Sequence, residues 1–154
     1  MKKLLSLLVT VVALSGCSMF GADGGLFSGV DCESRLARNF AENTTDTVFF
    51  AFDSSALSAE ATAALDTQVE WLKSHDDVNV IVQGYCDERG TREYNLALGE
   101  RRANAVKQYL VSQGIAEHRI STISYGKERP AVFGSNEAAW AQNRRAVTVV
   151  STAE

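Results

Sequence analysis

Residues 84–103 read GYCDERGTREYNLALGERRA. The first eight, Gly84-Tyr85-Cys86-Asp87-Glu88-Arg89-Gly90-Thr91, carry charge, glycine at both ends and no apolar period, so they form a loop. Just before them Val78, Val80 and Val82 alternate with Asn79, Ile81 and Gln83, the period-two pattern of a strand. Just after them Leu96, Gly99, Ala103, Val106 and Leu110 recur at steps of 3, 4, 3 and 4, one stripe of a helix that Gly114 stops as a left-handed cap. A charged loop between a strand's carboxyl end and a helix is where α/β sheets commonly hold ligands.

The same reading extends outward in both directions. Thr47–Phe52 (TVFFAF) is β-branched and aromatic, a buried strand. Ser58 caps a helix reaching about His75, with Ala61, Leu65, Val69 and Leu72 on one side. Ile120–Tyr125 (ISTISY) is a strand, Ser135 caps a short helix to about Asn143, and Ala146–Val150 (AVTVV) is the last strand. The order β-α-β-α-β-(α)-β implies an α+β fold, with helices on one face of a small mixed sheet.

Upstream lies a different kind of sequence. Met1-Lys2-Lys3 is a basic start, Leu4–Leu14 (LLSLLVTVVAL) is apolar apart from Ser6 and Thr10, and Ser15, Gly16 and Cys17 follow. That is a secretory signal over residues 1–16. Leu14-Ser15-Gly16-Cys17 also matches the bacterial lipoprotein box, which makes Cys17 the lipid attachment site. Three acyl chains at about 0.8 kcal/mol per buried CH₂ hold far more firmly than one reversible chain. Residues 17–46, with Gly21, Gly24, Gly25 and Gly29 and one short helical stretch from Glu33 to Ala41, read as a tether. About 28 flexible residues average roughly 30 Å end to end, with a limit near 95 Å. The folded domain is then 47–154.

Composition narrows the function. Of 154 residues, 45% are hydrophobic and 22% charged, enough for a core. The formal charge of −4 argues against a nucleic-acid partner. No apolar window reaches the roughly 18–20 residues that a membrane-spanning helix needs. There is no G-x-S-x-G elbow, H-E-x-x-H, C-x-x-C or Walker loop, and His75 and His118 lack metal-ligand spacing. No catalytic residue, metal site or cofactor is expected.

The charged loop suggests a binding chemistry. Asn95 and Arg102 are two helical turns apart and share a face. Asp87 and Arg102 can bracket a small zwitterion, carboxylate to ammonium and guanidinium to carboxylate. The residue pattern equally allows an Asp87–Arg102 salt bridge that only closes the loop.

Gly84–Ala103 resembles the signature of the OmpA-like peptidoglycan-binding domain family, and more closely its peptidoglycan-associated lipoprotein branch. The resemblance spans roughly Thr47 to Val150 and includes Phe52-Asp53, Asp87-Glu88-Arg89-Gly90-Thr91, Tyr94-Asn95, Leu98–Ala103, Ser124-Tyr125-Gly126-Lys127-Glu128 and Asn143-Arg144-Arg145-Ala146. It implies non-covalent binding of the peptidoglycan stem peptide at its diaminopimelate. Asp87 would be the family's acid, Arg102 its arginine and Asn95 its helix-start asparagine. Phe52 and Asp53 would form the other wall, with Arg89 and Arg145 in support. It further implies an outer-membrane lipoprotein with a periplasmic domain, partnered by TolB and the other Tol–Pal components at division. Two positions depart from the family: Tyr85 stands where His is usual, and Cys86 where Ala or Thr is.

Cys32 and Cys86 remain once Cys17 carries lipid. In an oxidising compartment they can pair, which would tie the tether to the loop. Alternatively Cys86 is a small buried hydrophobe. Two rivals to wall binding also stand: a wall-modifying enzyme using Asp53 and Asp87, and an adaptor that binds only protein.

Overall fold

The computed structural model describes residues 28–151. The signal segment 1–16, Cys17 and the first part of the expected tether lie outside the described residues. The elements are α1 (Ser28–Asn43), β1 (Thr47–Phe49), α2 (Ala59–Ser74), β2 (Asn79–Tyr85), α3 (Arg92–Ser112), a 3₁₀ turn (Glu117–Arg119), β3 (Ile120–Gly126), α4 (Glu137–Asn143) and β4 (Arg145–Ser151).

Local chemistry explains most of the boundaries. Ser58 Oγ accepts from Ala61 N at 3.1 Å and starts α2. Thr91 Oγ1 accepts from Tyr94 N at 3.2 Å and starts α3. Gly114 ends α3 with φ +101°, a conformation that glycine adopts without cost. The short helix α4 is capped by Asn136, whose Oδ1 accepts from Ala139 N at 3.0 Å, one residue later than expected.

The sheet runs β1-β4-β2-β3, with β2 and β3 parallel and β4 antiparallel to both β1 and β2. Helix α3 is the crossover that the parallel pair requires. Val80, Val82 and Ala146 point from the sheet into one core with Leu65, Leu72, Ala103, Val106 and Leu110. Helix α3 rests on β2 through a glycine pair. A Cβ built on Gly84 would lie 1.8 Å from the Gly99 carbonyl oxygen, so the two backbones touch where no side chain fits.

Two expectations change. The first strand stops at Phe49 instead of Phe52. Beyond it the carbonyls of Phe50, Ala51 and Ser54 accept from buried arginines, not from a neighbouring strand. The folded body also begins earlier than Thr47. Helix α1 covers most of the expected tether, and Phe40, 2% exposed, sits in the core against Trp71 with ring centroids 5.0 Å apart. Trp71 Nε1 also donates to Asn39 Oδ1 at 2.8 Å.

Two stability tests follow from this packing. Gly84→Ala should cost about 3 kcal/mol, because backbone atoms on both sides must part. Phe40→Ala should cost about 3–5 kcal/mol. Urea denaturation followed by tryptophan fluorescence measures both. An unchanged midpoint for Phe40→Ala would mean that α1 does not belong to the folded body.

Candidate functional site

At the carboxyl end of β2 lies an open cleft of about 160 Å³, lined by Phe52, Asp53, Cys86, Asp87, Arg89, Gly90, Tyr94, Asn95, Leu98 and Arg102. Three segments build it: the loop after β1, the loop between β2 and α3, and the first turns of α3. Tyr94, Asn95, Leu98 and Arg102 share one face of α3, as their spacing requires.

Arg102 is the anchor, 1% exposed and without a carboxylate partner among the described residues. Its Nε donates to Ser54 O at 2.8 Å, Nη1 to Tyr85 O at 2.8 Å and Nη2 to Ala51 O at 3.1 Å. The guanidinium therefore ties the loop after β1 to the end of β2. Burial pulls its pKa down, yet an arginine stays charged at any working pH. Three of its five N–H groups are used by these carbonyls, and the Cys86 thiol is a further hydrogen-bond partner of the guanidinium at the cleft wall.

Asp87 pairs elsewhere than expected. Its Oδ1 accepts from Arg89 N at 3.0 Å and Arg89 Nε at 3.2 Å, and its Oδ2 accepts from Arg89 Nη2 at 2.6 Å. Arg144 Nη1 stands 3.6 Å from Oδ2. The salt bridge that closes the loop is thus Asp87–Arg89, not Asp87–Arg102. Burial pushes the Asp87 pKa up, but the bonds from Arg89 and the charge of Arg144 outweigh it and hold it below the usual carboxylate range. The Arg89 guanidinium lies between the rings of Phe52 and Trp140, 4.0 Å from each centroid.

Asn95, 2% exposed, fastens the loop: its Nδ2 donates to Arg89 O at 2.8 Å and Thr91 O at 3.0 Å. Asp53 takes φ +51°, a left-handed conformation that Asp tolerates, and its carboxylate accepts from Tyr94 Oη at the rim. Phe52 is 60% exposed and forms the outer wall.

Six of the expected site residues, Phe52, Asp53, Asp87, Arg89, Asn95 and Arg102, therefore share one cleft. Arg145 does not. It lies on the other face of the sheet, its guanidinium 3.8 Å from the Tyr85 ring centroid. Cys86 is a free buried thiol, not half of a disulfide with Cys32. Its Sγ donates to Asn95 O at 3.3 Å inside the cleft wall, and burial pushes its pKa up. The Cys32 side chain lies outside the described residues. Sequence reasoning overlooked Tyr94, which shares the helix face of Asn95 and Arg102. It also overlooked Trp140 and Arg144, for which no local pattern signals a place beside Asp87.

Asp87 yields a pH prediction. Its folded pKa is lowered, so its contribution is complete above the unfolded value near 3.9 and is lost as pH falls through the folded value. Urea midpoints of the wild type and Asp87→Asn should therefore differ by a constant amount from neutral pH down to about pH 5 and converge below it. Arg102→Lys should cost about 2–4 kcal/mol at any pH, because one ammonium cannot reach three carbonyls spread over the guanidinium fork.

Among the described residues no helix is long and apolar enough to cross a membrane, and no cluster of side chains is suited to a metal. The chain is 45% identical over 151 residues to the peptidoglycan-associated lipoprotein of Mesorhizobium japonicum, covering 95% of this chain and 90% of that one. It is 42% identical over 157 residues to the peptidoglycan-associated lipoprotein of Pseudomonas aeruginosa, with 93% of each chain covered. The crystal structure of the peptidoglycan-associated lipoprotein from Burkholderia pseudomallei superposes with a TM-score of 0.67 at 44% identity, covering 69% of this chain and 90% of that chain. The OmpA family matches residues 49–144, more than half of the sequence and the whole of the cleft. The chain belongs to the OmpA family.

Proposed function

We propose that the cleft binds the peptide stem of peptidoglycan without cutting it, through the diaminopimelate residue. The observation that carries this is the pairing of opposite charges across one small cavity: the rigidly held guanidinium of Arg102 and the carboxylate of Asp87. Three of about four acceptor sites on that carboxylate are taken by Arg89, and Arg144 stands 3.6 Å from Oδ2, so an ammonium bound there would share the carboxylate with both arginines. Phe52 and Tyr94 offer apolar flanks to the aliphatic stem between the charges. The names of the relatives point to the same polymer.

The site is built to hold and not to react. Asp87, the carboxylate deepest in the cleft, is kept ionised by Arg89, so it cannot serve as a general acid near neutral pH. Asp53 is engaged by Tyr94. On this reading Cys17 carries lipid, the protein is an outer-membrane lipoprotein whose body faces the periplasm, and it links that membrane to the wall. It does so as a component of the Tol–Pal system, with TolB competing for the same surface and with a role in drawing in the outer membrane at division. The kinship with peptidoglycan-associated lipoproteins supports these finer assignments.

Titration of soluble stem peptides into the intact protein tests the ligand assignment. A diaminopimelate stem should bind about tenfold to a hundredfold more tightly than the matched lysine stem, which lacks one carboxylate. Asp87→Asn, with a melt to confirm folding, should weaken the diaminopimelate stem by a similar factor. Equal binding of the two stems by the wild type would overturn the mechanism. Failure of the protein to sediment with purified sacculi at all would favour an adaptor that binds only protein.

A further inference from the structure

The face of the sheet opposite the helices is bare among the described residues. Its alternation is clear: Val80, Val82 and Ala146 point to the core, while Ile81, Gln83, Arg145 and Val147 point away. No Asp or Glu occupies any outward position of the four strands, in a chain with 19 acids against 15 bases. The middle of the face is apolar, built from Ile81, Ile123, Val147 and Val149, with Ile123 39% exposed.

One end of the face holds a row that crosses every strand. Phe49 of β1 is paired with Arg145 of β4, Arg145 lies 3.8 Å over the ring of Tyr85 on β2, and Tyr85 stacks on Tyr125 of β3 at 5.4 Å. Arg129, on the loop after β3, lies 3.9 Å over the Tyr125 ring. Among the described residues neither guanidinium is within ion-pair distance of a carboxylate, and Glu128 beside Arg129 is taken by Arg92. Arg145 Nη1 is buried without a hydrogen-bond partner, and Nη2 donates to Arg129 O at 3.4 Å, so Arg129, on the exposed loop, is the cation of the row that faces outward. The rings cover the faces of the guanidiniums, so only their edges are left to donate. Phe49, 52% exposed, closes the row at the other side. Two cations without a carboxylate partner, the exposed ring of Phe49 beside the half-buried Tyr125, and an apolar strip are the composition of a surface that meets lipid headgroups.

The length of chain before the body limits how far it can stand from an anchor at Cys17. Helix α1 begins at Ser28, eleven residue steps after Cys17. Fully extended, that link spans about 36–40 Å, less than half the reach that the sequence alone implied. A lipid on Cys17 therefore keeps the body beside the leaflet.

We propose that the open face of the sheet docks on the anionic phospholipid headgroups of the membrane that carries the lipid anchor, with Arg129 taking a headgroup phosphate and Arg145 adding positive charge behind it. The proposal rests on the reading of Cys17 as lipidated, but its test does not. The processed chain starting at residue 17 and carrying Cys17→Ser contains every described residue and has no anchor. It should sediment with vesicles containing phosphatidylglycerol at low salt, and not with vesicles of phosphatidylcholine alone or at high salt. Arg129→Gln, on an exposed loop, should weaken this about fivefold. Ile123→Asp, which places a carboxylate on the apolar strip, should weaken it at least as much. Both variants should bind the soluble stem peptide like the wild type and keep its melting temperature. Equal vesicle binding by wild type and variants, or equal binding to neutral vesicles, overturns the proposal. So does loss of stem-peptide binding in folded Arg129→Gln, which would put the row in the wall site. Arg129-dependent binding to an acidic peptide without any to vesicles would assign the face to a protein partner instead. If Cys17 is not lipidated, the wild-type chain will lack an acyl group by mass, a result that leaves the vesicle measurement intact.

Discussion

A buried guanidinium with no carboxylate beside it governs the architecture of this domain. Arg102 spends its hydrogen bonds on three backbone carbonyls, of Ala51, Ser54 and Tyr85, which come from the loop after β1 and the end of β2, far apart in sequence. Left without a donor, each buried carbonyl would cost about 1–3 kcal/mol. The two segments therefore stay where Arg102 can reach them. Arg119 does the same at the opposite end of the sheet, with bonds to Leu72, His75 and Val78 carbonyls, and Arg144 takes the carbonyl of Phe50. These arginines act as brackets where the chain leaves regular structure.

Such a bracket makes the cleft a property of the fold rather than of a mobile loop. The glycine pair Gly84 and Gly99 sets α3 directly on β2, which brings Arg102 within reach of Tyr85 O. The same helix presents Asn95 to the Arg89 and Thr91 carbonyls, so the charged loop is fixed at both ends. Preorganisation of this kind lowers what must be ordered on binding, which favours a small charged ligand with few contacts.

Much of this was legible in the sequence, and the reasons differ by residue. Ser58 and Gly114 mark helix ends by local chemistry, and the stripe from Leu96 to Leu110 marks a core face by period. The site segment was legible because loop and helix are contiguous, so spacing alone places Asn95 and Arg102 together. Pairings were not legible. Asp87 has several arginines within reach of a folded loop, and which one takes it depends on Phe52 and Trp140 stacking on Arg89 from distant segments. Arg145 precedes Ala146, a core residue, so strand alternation turns it to the opposite face from the cleft. Helix α1 was hidden by glycines near its start. Its ties to the core are Phe40, Leu36 and Asn39, and the partner of Phe40 and Asn39, Trp71, lies on another helix. Tyr85 shows the same limit: its departure from the family pattern has a visible role only once Arg145 and Tyr125 are seen on either side of its ring.

The placement of two chemistries on opposite faces of one thin sheet has a mechanical consequence. The cleft opens on the helix side, at the carboxyl end of β2, while the row of arginines and tyrosines crosses the bare side at the same end. A sheet with one layer of helices is only about 20 Å deep, from the roughly 10 Å spacing of packed layers plus side chains. With the bare face toward lipid, the cleft looks outward from the membrane, and a wall strand held there would lie about one domain's depth from the headgroups. A long flexible tether would instead let the cleft search a wide shell at low effective concentration. If Cys17 carries the anchor, as proposed, the link of eleven steps would exchange that range for a short standoff, in which each weak stem contact would act at high local concentration. On the proposed function, many such molecules along one continuous wall would then resist separation of the two layers together, although no single cleft would need to bind tightly.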